Sequence, residues 1–133
     1  EPRRGIGQGP GKPMWLGTPP RRTAVFALPG NPVSTYTCLH RYVLPALARM
    51  AGAIPAASET VALAQPFRFG KPLAFMLPVQ LRTDDLGNRQ AAPAPFNTSG
   101  DLGGLLETDG FIELPADQTD FAAGTAARFW RWV

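Results

Sequence analysis

The stretch Phe26-Ala27-Leu28-Pro29-Gly30-Asn31-Pro32-Val33-Ser34 joins an apolar strand to a helix through a loop built from stiff residues. Val25, Phe26, Ala27 and Leu28 form a short continuous apolar run, the pattern of a strand covered on both faces. Pro29 and Pro32 fix φ, Gly30 permits positive φ and Asn31 tolerates it, so the turn loses little entropy when it orders. Beyond the loop, Tyr36, Leu39, Val43, Leu47 and Met50 follow the spacing of one buried helical stripe. Pro45 predicts a kink in that helix and Gly52 its end. A rigid loop between a strand and a helix N-terminus is where α/β proteins hold ligands. Upstream, Met14 to Gly17 and Thr23 to Leu28 read as short strands. So few strands with one helix are too little for an independent α/β domain, and residues 1–53 are expected to be the remainder of a larger one.

From Ile54 the pattern changes. Val61 and Leu63 alternate with Thr60 and Ala62, and Leu73, Phe75, Leu77, Val79 and Leu81 repeat every second residue, the strongest strand signal in the chain. Asp84-Asp85-Leu86-Gly87-Asn88 reads as a hairpin turn. Phe111 to Leu114 and Thr125 to Trp132 read as two more strands, and Gly100 to Thr108 as a turn or two of helix capped by Ser99 or Asp101. Residues 54–133 are therefore expected to form a small β-barrel or sandwich.

Composition narrows the function classes. With 133 residues and 44% hydrophobic content, the chain can build a core and reads as globular and soluble. No apolar run approaches the ~20 residues of a membrane span. The lone Cys38 excludes an internal disulfide and fits a reducing cytoplasm, and the lone His40 removes His-pair chemistry. The net charge of +3 divides unevenly: residues 1–53 carry seven basic side chains against Glu1, and residues 54–133 six against nine acidic ones. The first region suits anions.

The glycines at positions 5, 7, 9 and 11 fit neither the dinucleotide fingerprint, where Pro10 replaces a glycine, nor a Walker loop, where Pro13 follows Lys12. What remains is a lysine presented between two prolines. Cys38 and His40 lack partners at ligand spacing and read as packing residues, and Asp84/Asp85 and Asp117/Asp120 read as solvated turn residues. Phe129, Trp130 and Trp132 alternate as barrel core plus a packing face. Asn97-Thr98-Ser99-Gly100-Asp101-Leu102 brings hydroxyls and unpaired backbone N–H groups before a short helix, a combination that suits an oxyanion, although taken by itself it reads as an ordinary capped turn.

Taken together, GPGKPMWLG (9–17), FALPGNPVS (26–34) with its helix ending RYVLPALARMAG (41–52), and NTSGDLGGLLETDGFIELP (97–115) resemble the C-terminal part of MoeA-type molybdopterin molybdenumtransferases, the family that includes the gephyrin E domain. The resemblance implies that residues 1–53 end a MoaB/Mog-like molybdopterin-binding α/β domain and that residues 54–133 are the C-terminal β-barrel domain. It implies insertion of molybdate into adenylylated molybdopterin with magnesium-assisted loss of AMP, in a homodimeric cytoplasmic protein with no nucleic-acid or membrane partner. Lys12 and Pro13 match the family's PGKP loop, Asn31 and Ser34 its PGNPVS loop, and Ser99 the serine facing the same site from the C-terminal domain. Gly9 stands where many members have another basic residue, and Met76 near where some have an oxyanion-binding arginine. The family's metal-handling carboxylates are expected before Glu1, so catalytic residues are not assigned in this chain and the fragment alone is expected to be inactive. Two other readings carry less: a non-catalytic peptide-binding scaffold of the same fold, and a basic nucleic-acid-binding barrel, which the acidic balance of residues 54–133 disfavours.

Overall fold

The computed structural model describes residues 3–4, 7–10, 14–17, 23–55, 57–95 and 102–132. Strands β1 (Arg3–Arg4), β3 (Trp15–Gly17) and β4 (Val25–Ala27) form a small antiparallel sheet in the order β1-β3-β4, while β2 (Gln8–Gly9), between β1 and β3 in sequence, leaves it for another sheet. The expectation that the Val25 to Leu28 run is covered on both faces is not met. Val25 and Ala27 are exposed and Phe26 is half-buried, because β4 gains its backbone partners from β3 while one face stays open.

A continuous helical run follows as α1 (Pro32–Cys38), a π-helical segment (Leu39–Val43) and α2 (Leu44–Met50). Asn31 caps it, its side-chain oxygen accepting from the Ser34 N–H at 3.1 Å, and Pro32 occupies the first turn, where a missing N–H costs nothing. Pro45 cannot donate to the carbonyl four residues back. The chain widens ahead of it, and the Leu44 N–H donates to the Leu39 carbonyl, five residues back. That extra residue turns everything beyond it by about 100° relative to a regular helix. Leu47 and Met50, expected on the buried stripe, are instead 48% and 63% exposed, whereas Val33, Thr37, Cys38 and His40 are buried. The run ends as expected at Gly52, with φ of 75° and hydrogen bonds from Gly52 to Arg49 and from Ala53 to Ala48.

The remaining strands are β5 (Glu59–Leu63), β6 (Phe67–Arg68), β7 (Ala74–Thr83), β8 (Arg89–Pro93), β9 (Gly110–Leu114), β10 (Asp120–Phe121) and β11 (Ala126–Arg131), with the short α3 (Leu102–Leu105) before β9. The sheet runs β2-β7-β8-β5-β11-β9, and β9 pairs again with β7, closing a five-stranded ring onto which β2 adds in parallel at Ala74 and Phe75. Alternation sorts the side chains: Leu77, Val79, Ile112, Leu114, Ala127 and Phe129 point inward with Val61 and Leu63 to form the core. The Asp84 to Asn88 turn forms as expected. The Asp84 carboxylate accepts from the backbone N–H groups of Leu86 and Asn88 at 3.0 and 2.8 Å, and Gly87 takes a φ of 85°.

Candidate oxyanion loops and the helix–barrel junction

The antiparallel register pairs Trp15 with Ala27 and Gly17 with Val25. The chain therefore enters β3 from the Pro10-Gly11-Lys12-Pro13 stretch at the same end at which it leaves β4 into Pro29-Gly30-Asn31-Pro32. The second loop is tied down from within. The Thr35 N–H donates to the Asn31 carbonyl at 2.8 Å, and the Thr35 hydroxyl reaches the carbonyls of Pro29 and Asn31. Of the site residues expected from sequence, Asn31 and Ser34 are joined by the cap, and the Ser34 side chain is buried beneath it. Lys12, Pro13 and Ser99 lie outside the described residues. The segment containing Ser99 leads into α3, which packs beside α1; Tyr36, Leu105 and Trp132 line a cleft of about 510 Å³ between them.

Gly9 pairs with Phe75, and a Cβ there would meet the Leu73 Cδ1 at 2.7 Å. A side chain at position 9 would require Leu73 to move. Met76 is fully buried on the outer side of β7 and fills space without offering a polar group.

Sequence reasoning missed Gln8. It is 2% exposed, and its amide donates to the Pro10 carbonyl at 3.2 Å and to the Cys38 sulfur at 3.6 Å, while its oxygen accepts from the Tyr42 hydroxyl. Gln8 thus ties the approach to the lysine loop to the helix. No local pattern could reveal this, since its partners lie 30 and 34 residues away. Burial pushes the Cys38 thiol up to about 11, against a smaller opposing effect of the Gln8 hydrogen bond. Burial also raises the Tyr42 phenol. Cys38 and His40 serve packing: the His40 ring lies edge-on to Tyr36 and Trp132, with Nδ1 2.8 Å from the Tyr36 carbonyl.

The helix meets the barrel through an aromatic layer on the outer face of β9 and β11. Phe111 stacks with Trp130 and packs on Trp132, which in turn meets Tyr36. The Arg41 guanidinium lies 4.5 Å from the centre of the Trp130 ring and bonds the Glu113 carboxylate through Nε at 3.1 Å. Among the described residues, no three His, Cys, Asp or Glu side chains come together as a metal site.

Residues 60–132 match the family description of the MoeA C-terminal region (domain IV). A molybdopterin molybdenumtransferase from Synechocystis sp. is 39% identical over 129 residues, 96% of this chain and 30% of that protein. The crystal structure of a molybdopterin biosynthesis moeA protein from Pyrococcus horikosii is similar with a TM-score of 0.76 and 27% identity, covering 98% of this chain and 31% of that one. A molybdenum cofactor biosynthesis protein from Pyrococcus furiosus shares the fold, with a TM-score of 0.76 and 23% identity over 97% of this chain and 44% of its own. The chain thus spans about a third of the length of the curated relative it matches.

Proposed function

The chain belongs to the MoeA family, whose C-terminal region it contains, and from that premise we propose that it is the C-terminal part of a molybdopterin molybdenumtransferase. In this reading residues 1–53 complete the molybdopterin-binding α/β domain and residues 54–133 form the barrel domain. The parent protein, a cytoplasmic homodimer, inserts molybdate into adenylylated molybdopterin and releases AMP. The observation that supports the reading is the β3–β4 register: the start of β3, which follows the PGKP stretch in sequence, and the end of β4, which leads into PGNPVS, lie at the same end of one sheet, and α3 packs beside α1.

Molybdate is a dianionic substrate, and a cation, hydroxyls and backbone donors can hold it without a protein metal ligand. Lys12 supplies charge from a loop stiffened by Pro10 and Pro13. Ser99 supplies a hydroxyl from the barrel domain. Asn31 and Ser34 hold the second loop in shape through their cap, so that its backbone stays ordered when the substrate arrives. Gln8 fixes the start of the lysine loop against the helix. The described residues offer magnesium no cluster of three acidic, histidine or cysteine ligands, and none of them is assigned to it.

The test is a molybdate titration of cofactor formation in the full-length parent. Lys12→Ala should raise the half-saturating molybdate about tenfold or more, because charge and donors are both lost. Ser99→Ala should raise it less, since one neutral donor goes. Binding of the adenylylated pterin, measured separately, should change little in either. Unchanged molybdate dependence in a folded Lys12→Ala protein would make the PGKP loop a structural turn.

A further inference from the structure

Outside the three loops, a hollow of about 330 Å³ opens on the outer wall of the barrel, lined by Arg41, Glu113, Pro115, Ala126, Ala127 and Arg128. Arg41 reaches it from the π-helical segment. Its guanidinium lies over the Trp130 ring and bonds Glu113 through Nε, while its two terminal amino groups bond no described residue. Arg128 lies on the strand opposite Glu113, directly paired with it in register, and its side chain makes no hydrogen bond or ion pair with any described residue. Two guanidinium groups and one carboxylate thus share a hollow with small, apolar walls, leaving one net positive charge and most of the guanidinium donors unused.

We propose that this hollow is a binding subsite for a phosphate group. A phosphate dianion is attracted by both guanidinium groups and offers enough acceptor oxygens to bond both forks. A single carboxylate satisfies only one fork and meets the same repulsion from Glu113. Arg41 is largely ordered before the ligand arrives, by the Trp130 ring beneath its guanidinium carbon and the Glu113 hydrogen bond at Nε, so little side-chain entropy remains to be lost there.

The experiment titrates the chain with inorganic phosphate, with glycerol phosphate and with acetate at constant ionic strength, by calorimetry and by NMR of the Arg Nε–H and Trp indole signals. Saturable phosphate binding that shifts the Arg41 Nε–H and Trp130 indole signals is expected, with acetate at least tenfold weaker. Tighter binding of glycerol phosphate would assign the subsite to a phosphate ester, and equal binding to free phosphate. Arg128→Gln, an exposed change that leaves the fold intact, should weaken phosphate about tenfold. Glu113→Gln should strengthen it severalfold by removing the repelling charge. No saturation in the wild-type chain, unchanged affinity in Arg128→Gln, or weaker binding in a folded Glu113→Gln would overturn the proposal. So would binding abolished by Lys12→Ala and untouched by Arg128→Gln.

Discussion

Gly110→Ala should be the most damaging single methyl addition to the barrel. Gly110 sits where the ring closes, paired with Val79 of β7 on one side and Arg131 of β11 on the other. A Cβ there would overlap the Trp130 carbonyl oxygen and approach Phe129 Cε2 at 2.6 Å. The overlapped atom is backbone, so no rotamer relieves it and β9 must separate from β11. Overpacking of this kind costs about 1–3 kcal/mol. Separation also strains the hydrogen bonds from Trp132 to Asp109 and from Asp109 to Val79, both 3.0 Å, each contributing about 0.5–1.5 kcal/mol. The expected loss is about 2–6 kcal/mol, a large part of the about 5–15 kcal/mol typical of a domain. Urea unfolding followed by tryptophan fluorescence measures it, with Gly70→Ala, where an added Cβ meets nothing, as the control within about 0.5 kcal/mol. A loss below about 1 kcal/mol for Gly110→Ala, at an unchanged urea slope, would refute the claim that ring closure leaves no room here.

Other expectations follow from the junction and the turn. The Cys38 thiol ionises near 9.0 when unfolded and about 11 when folded, so the stability it contributes is present below pH 9 and lost as pH rises from about 9 to 11; denaturant midpoints across that range should fall, and a flat profile would contradict it. At pH 8, alkylation of Cys38 should proceed only as fast as the native chain opens, as judged against the same reaction in urea. A double-mutant cycle on Arg41 and Glu113, both 26% exposed, should return a coupling of about 0.5–1 kcal/mol that shrinks with added salt. Hydrogen bonds led by the Asn88 N–H hold the Asp84 carboxyl below its ordinary range, so its contribution to stability, present above that range, is lost as pH falls through the lowered value; an NMR titration should find it there.

The barrel was legible because strands with one buried face write their fold in alternation: Phe75, Leu77, Val79 and Leu81 carry it on β7, and Phe129 against Trp130 and Trp132 on the last strand and its end. The helix ends were legible in Asn31-Pro32 and Gly52, whose chemistry acts within one turn. The helix phase was not. Pro45 announces a disturbance but not whether the chain bends or inserts a residue, and the insertion is what turned Leu47 and Met50 outward. Two-residue strands such as β2, β6 and β10 are too short to show a period. Of the candidate site, the motifs and their order were visible, whereas Gln8, Arg41 and Trp130 act across 30 or more residues and leave no local trace.

The two residues of β2 have a consequence for anyone who would treat the barrel as a separable part. Gln8 and Gly9 hydrogen-bond along Ala74 and Phe75, although they belong in sequence to the first region. Excising residues 54–133 would strip that border strand away and also uncover the Phe111, Trp130 and Trp132 rings that the helix shields. The excised piece would carry an open strand edge beside an aromatic face, the two features by which β proteins stick to copies of themselves. A graft or truncation that keeps the barrel from sticking to its own copies must therefore carry residues 8–9 and the helix with it, so the start of β5 is not a place to cut.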